Sequence, residues 1–237
     1  MNKFFSFIFF LIFIASCAPS RYVVPLERGQ HSVSLNLGGP LINYSNMVIP
    51  IPFTSINYAY GWKKNTTVFA SLHPTALLYG VGQIEMGLVN RVKYFQKSKI
   101  GISVSPVANI LTDKWQWNLK VYPQLDLNIY WNFRGDLSHH CDCPGDKKTS
   151  AYLYFGVTNW FELSRTRANG QTQSQNWFFA PQLGVNVGGS SWKTSLEFKY
   201  MGMFTRNDDV VVSYYNPFSN MGAIGVYLTV YKIFAAK

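Results

Sequence analysis

The chain has 237 residues, 48% hydrophobic, 17% aromatic and only 14% charged, with 21 Lys+Arg against 11 Asp+Glu and a formal net charge of +10. Disordered segments lack such aromatic content, and soluble domains carry roughly a quarter charged residues, so the composition fits neither class. Beyond the N-terminus no uninterrupted apolar run approaches the ~20 residues of a spanning helix, which excludes a helical membrane protein.

Residues 1–16 read as a secretory signal, with Lys3 as the positive n-region and Phe4 to Ile14 as an apolar h-region too short to span a bilayer. The segment ends Ile14-Ala15-Ser16-Cys17, which resembles the bacterial lipobox, whose cysteine is acylated and becomes the first residue. The alternative is an ordinary signal peptide cleaved near Ala15 or Ala18, leaving Cys17 as a thiol. No acidic run follows Cys17, so the expected lipid anchor lies on the periplasmic side. Residues 17–29, containing Pro19 and Pro25, read as a lipidated, irregular tether.

From Gln30 to the C-terminus, residues 30–237, hydrophobicity has a period of two rather than 3.6. Strands are expected at roughly 30–38, 52–62, 66–74, 82–93, 99–110, 119–133, 150–163, 177–186, 192–200 and 224–231, about ten in all. In the clearest, Leu119, Val121, Leu125, Leu127, Ile129, Trp131 and Phe133 oppose Lys120, Tyr122, Gln124, Asp126, Asn128, Tyr130 and Asn132. Pro106, Pro123 and Pro181 fall within strand patterns, where a missing N–H predicts bulges or local breaks in pairing.

Such alternation builds either a soluble barrel with its apolar face inward or a membrane barrel with that face outward. The polar faces are rich in Gly, Ser, Asn, Gln and Tyr, with too few charges for a soluble exterior. Trp62, Trp131, Trp160, Trp177, Trp192 and Tyr200 lie near strand ends, where an interfacial girdle belongs. The expected fold is an all-β, antiparallel up-and-down transmembrane barrel. If both ends are periplasmic, turns at Lys63–Thr66, Tyr94–Ser98 and Gly188–Ser191 are short. Outer loops at Gly38–Ile51, Pro74–Val81, Leu111–Trp117, Ser164–Asn176 and Met203–Asn220 are mostly longer, as in outer-membrane barrels. The long periplasmic connection Arg134–Ser150 departs from that rule, and a miscounted strand would produce the same anomaly.

The phrases Val24-Pro25-Leu26-Glu27-Arg28-Gly29-Gln30-His31, Tyr122-Pro123-Gln124-Leu125-Asp126-Leu127-Asn128 and Thr158-Asn159-Trp160-Phe161-Glu162-Leu163 are similar to an uncharacterised bacterial family of small outer-membrane β-barrel lipoproteins. The resemblance implies architecture and place, and brings no catalytic residues or cofactor.

Candidate chemistry is sparse. His139, His140, Cys141 and Cys143 cluster within a stretch that suits soft transition metals, although five adjacent residues cannot easily close a tetrahedral shell. In an oxidising periplasm Cys141 and Cys143 can instead join as a disulfide. Omptin-type barrel proteases use Asp/His dyads near the outer rim, and His73 with Asp113, Asp208 or Asp209 is the weak catalytic candidate here. Glu85, Arg91, Lys120, Asp126, Lys193, Glu197 and Lys199 fall on the polar face, with Tyr122, Tyr130, Tyr152, Tyr154 and Tyr227. Ten strands make a narrow cylinder, which such residues would fill. The basic excess is expected to meet phosphates of membrane lipid and lipopolysaccharide rather than nucleic acid. The leading expectation is a structural or interaction role, as partner in a larger outer-membrane assembly, with Met203–Asn220 and its Tyr214, Tyr215 and Phe218 as contact surface. A narrow passive channel and a lipid- or peptide-cleaving barrel enzyme are the alternatives.

Overall fold

The computed structural model describes residues 22–115, 117, 119–135, 149–165, 172, 175–207, 213–216 and 220–236. Of the residues singled out above, Cys17, His139, His140, Cys141, Cys143, Asp208, Asp209 and Phe218 lie outside the described residues. In chain order the elements are β1 (His31–Tyr44), β2 (Met47–Pro50), β3 (Phe53–Lys63), β4 (Thr66–Leu72), helix α1 (Pro74–Leu78), β5 (Val81–Phe95) and β6 (Ile100–Asp113). There follow β7 (Leu119–Arg134), β8 (Ser150–Phe161), β9 (Trp177–Gly188), β10 (Trp192–Arg206) and β11 (Met221–Phe234). No helix among the described residues is long and apolar enough to cross a membrane.

Neighbouring strands pair antiparallel, and β1 closes on β11 from His31↔Phe234 to Pro40↔Gly225. β2 pairs only with the far part of β1, so the eleven strands less β2 form a closed ring of ten. Closure leaves no unpaired edge in the ring, which a strand structure in lipid requires.

Burial shows which way the barrel is turned. Along β7, Gln124, Asp126, Asn128, Tyr130 and Asn132 are buried, whereas Leu127, Ile129, Trp131 and Phe133 are exposed. On β1, Ser32, Ser34 and Asn36 are buried, and Val33, Leu35 and Leu37 face outward. Leaving one such apolar side chain in water costs about 1.5–3 kcal/mol relative to burying it. A lipid surround removes that cost, and the whole wall repeats the pattern. The molecule is a transmembrane β-barrel, and the soluble arrangement is excluded.

Both the start of β1 and the finish of β11 lie at one end, here called the base; the opposite end is the mouth. Base connections are residues 64–65, 96–99, 135–149 and 189–191. Ten strands are present, so the long 135–149 connection is genuine rather than the product of a miscount; its stems meet where Gly135 lies against Thr149 and Ser150.

Three local expectations are resolved by pairing. Each proline keeps one neighbour and loses the other: the β5–β6 ladder skips the residue opposite Pro106, β7–β8 pairing starts at Gln124 just after Pro123, and β9–β10 pairing stops at Gln182 just before Pro181. The ladder breaks where the donor is missing, without a register shift. The expected loop Gly38–Ile51 is instead mostly strand. Gly38 has φ 144, and a Cβ there would overlap the Val226 backbone, so only glycine fits at this point, where β1 leaves β3 while still paired with β11. Beyond it Leu41–Tyr44 pairs with β2 across Ser45-Asn46, both with positive φ of 47 and 62, as a tight hairpin turn demands. Trp160 corrects the girdle assignment. It shares the inner register of β8 with Tyr152, Tyr154 and Thr158 and is buried, its ring 5.6 Å from that of Tyr122. Trp62, Trp131, Trp177 and Trp192 are exposed on the outer wall.

Candidate functional site

Residues 22–30, ahead of β1, form neither helix nor strand, yet they enter the base of the lumen. The Tyr22 hydroxyl donates to Ser32 Oγ at 3.2 Å and lies 3.4 Å from Ser34 Oγ, and its ring stands 5.4 Å from that of Tyr231. The Leu26 N–H donates to Thr67 Oγ1 at 2.7 Å. Gly29 N–H donates to Gly61 O at 2.8 Å, and Gly61 N–H to Gln30 O at 2.9 Å, fixing the segment to the end of β3. Tyr22 and Leu26 pack with Ala59, Phe69, Val89, Val107, Tyr231 and Ile233; Val23 packs with Tyr130, Tyr152 and Tyr154. These partners come from β3 to β8 and β11, so the segment is gripped from most of the circumference. Residues 22–29 of the stretch read as a tether are irregular, as Pro25 suits, but they are also a plug. The apolar run Tyr22-Val23-Val24-Pro25-Leu26 is the sequence signal for this role, since a solvated tether has no use for it.

Above the plug the wall tyrosines use space left by glycine. Tyr130 lies over Gly101 and Tyr154 over Gly184, where any Cβ would overlap the ring. Their rings continue a chain of aromatic contacts, Tyr94–Tyr130 at 6.3 Å, Tyr130–Tyr152 at 6.0 Å and Tyr152–Tyr154 at 6.2 Å.

Polar groups then span the barrel interior. Tyr154 donates to Glu197 Oε2 at 2.7 Å, and Lys199 Nζ lies 3.5 Å from Glu197 Oε1 and 3.3 Å from Thr158 Oγ1. Thr158 donates to Gln182, which donates to Asn128 at 2.7 Å. On the adjoining strands β6 and β7 Asn109 donates to Gln124 at 3.0 Å, and Gln124 to Asp126 at 2.9 Å. Asp126 is within electrostatic reach of Lys199 and Glu197. Glu85, Asp126, Glu197 and Lys199 are buried, while Arg91, Lys120 and Lys193 are half-buried at the ends of the inner face. Arg91 sits 5.4 Å from the centre of the Tyr94 ring. Buried charges survive only when paired and hydrogen-bonded, and this web supplies both.

His73 follows β4 and is buried toward the mouth, with Nε2 2.7 Å from Glu85 Oε1. Gln83 donates to the same oxygen at 3.4 Å. The carboxylate of Asp113 accepts from the Trp115 N–H at 2.9 Å. The structure thus brings His73 to Glu85, a carboxylate of the inner wall. Among the described residues no group of three His, Cys, Asp or Glu side chains converges on a metal site.

At the mouth the β1–β2 hairpin rises beyond the ring, and residues 213–215 pair along it, with Asn43 N–H to Ser213 O and Tyr215 N–H to Leu41 O. Tyr214 is half-buried against Met201, Ala223 and Tyr227 and serves as an anchor, while Tyr215 stays exposed. The hairpin tip exposes Tyr44, Met47 and Val48.

No protein-family model and no curated protein matches the chain at a significant level. Among solved structures, the NanC porin aligns with a TM-score of 0.43 and 10% identity, covering 84% of this chain and 98% of that one. The translocator domain of the autotransporter NalP from Neisseria meningitidis gives 0.41 and 11%, covering 88% and 90%. The N-terminal β-barrel domain of Pseudomonas aeruginosa OprF gives 0.33 and 8%, covering 88% and 100%.

Proposed function

We propose that the protein is a bacterial outer-membrane lipoprotein, acylated at Cys17 on the periplasmic side, whose closed barrel serves as a structural or contact element of a larger outer-membrane assembly. The observation that carries this reading is the plug: Tyr22, Val23 and Leu26 fill the base of a lumen whose upper part is occupied by paired charges and tyrosines. A closed lumen leaves the outer face and mouth as working surfaces. The exposed hairpin tip, Tyr44, Met47 and Val48, with Tyr215 beside it, is the contact surface, since exposed aromatics and methionine favour interfaces. His73 is engaged with Glu85, so the geometry favours a structural use of both over catalysis.

Planar-bilayer recordings test the closed lumen. Wild-type protein gives no unitary current steps, and Tyr22→Gly/Val23→Gly/Leu26→Gly, which removes the plug's side chains, gives them. Stable steps from the wild type would overturn the reading. Photo-crosslinkers placed at Met47 or Val48 in native membranes yield a discrete protein adduct, and one at wall position Leu35 yields lipid alone. The same adduct pattern at all three positions would remove the assembly role.

A further inference from the structure

The base rim carries a charge pattern that neither the plug nor the mouth explains. Two adjoining turns, β3–β4 and β5–β6, and the strand ends that flank them hold Lys63, Lys64, Lys93, Lys97 and Lys99, all exposed. Their adjacency is fixed by the Arg91 N–H donating to Asn65 O at 2.9 Å and by the Thr66↔Asn90 pairing. The ion pairs among the described residues, His73–Glu85 and Lys199–Glu197, involve none of these lysines. Like charges this close repel one another, and a bound anion relieves the repulsion.

Two of these lysines, Lys63 and Lys93, reach back along the outer wall. Lys63 Nζ lies 4.4 Å from the centre of the Trp62 ring, and Lys93 Nζ lies 4.9 Å from that of Phe95. Both rings are on the outer wall, 52% and 42% exposed, and Val92 beside them is 63% exposed. Each ammonium is thus held at the edge of the apolar band, the position in which a snorkelling lysine meets a headgroup. A soluble anion would use the ammonium groups and ignore the wall. A phospholipid with an anionic headgroup uses both, laying its acyl chains on Trp62, Val92 and Phe95 and its phosphate among the lysines.

We infer that the base rim formed by the β3–β4 and β5–β6 turns is a binding site for anionic phospholipid. Among the described residues the mouth shows no equivalent: Lys114 stands over Trp115 at 5.0 Å, but Asp113 and Glu162 share that rim. The site needs only the transmembrane barrel, so it stands whether or not the lumen conducts.

Native mass spectrometry of the full chain, released from vesicles of equal phosphatidylglycerol and phosphatidylethanolamine, provides the test. Each lysine near an anionic surface contributes about fivefold in affinity. The wild type retains phosphatidylglycerol in preference, and Lys63→Gln/Lys93→Gln/Lys97→Gln loses that preference by two orders of magnitude or to parity. Lys63→Arg/Lys93→Arg/Lys97→Arg keeps it, as does Lys114→Gln/Arg206→Gln at the mouth. Gel mobility of unheated protein shows that every variant remains a folded barrel. A wild type without preference overturns the site. Equal losses from the base and mouth variants overturn it too, since that result is bulk attraction. Retention that millimolar inorganic phosphate abolishes as readily as added phosphatidylglycerol does would mean an anion site without lipid recognition, and also refutes it.

Discussion

Replacing Lys199 with methionine keeps most of a buried side chain's volume while deleting its charge. Lys199 is 1% exposed, 3.5 Å from Glu197 and 3.3 Å from Thr158, with Asp126 in electrostatic reach. Without the ammonium, two acidic groups share the interior with no such charge between them. Breaking a buried pair by removing one partner costs about 3–5 kcal/mol, and the Lys199→Met variant is expected in that range. Glu197→Gln is the informative comparison. It removes one of two acidic groups and keeps an acceptor for Tyr154, so its cost is only about 1 kcal/mol, the size of a weakened hydrogen bond. The double variant Lys199→Met/Glu197→Gln is expected to be more stable than the sum of the two losses, with a coupling of about 0.5–3 kcal/mol. Guanidinium unfolding in phospholipid vesicles, followed by tryptophan fluorescence, measures all three. A Lys199→Met variant within about 0.5 kcal/mol of wild type, or a Glu197→Gln variant that costs more than Lys199→Met, would refute the pairing argument.

Two further perturbations probe the wall and the packing. Leu35 is 56% exposed on the outer face between Val230 and Ile56; Leu35→Arg is expected to cost about 2–4 kcal/mol in vesicles near the bilayer midplane, and a negligible effect would mean that this face meets water. Gly101→Val puts atoms into the Tyr130 ring and is expected to cost about 1–3 kcal/mol by overpacking; adding Tyr130→Ala should return part of that loss, and no recovery in the thermal midpoint of gel mobility would show that the ring is not what the valine meets.

The strands were legible in the sequence because a period of two is a local property. In a pleated chain every second side chain shares a face, whatever the partner strand. Leu119–Phe133 was therefore readable as a strand that the structure gives as Leu119–Arg134, and the polar residues of Trp192–Tyr200 fall inside as that pattern requires. Where alternation fails, so did the reading. Gly38-Gly39-Pro40 carries no period, and the continuation of β1 into its hairpin was hidden behind it. Trp160 was misassigned because an aromatic near a strand end suits either face, and only its parity with Tyr154 and Thr158 decides.

Sequence alone determined the class of the molecule: an inside-out barrel of about ten strands, with low charge because lipid covers most of its wall. Only the tertiary structure decided what fills it. Tyr22 meets Tyr231, His73 meets Glu85, and Lys199 meets Thr158, pairs set by strand register, by the curvature of the sheet and by the entry of residues 22–30 into the ring. Closure and strand tilt bring together residues that lie far apart along the chain. Pairing of β4 with β5 gathered lysines from two separate turns into one patch, and the closed ring turned an apparent tether into a plug.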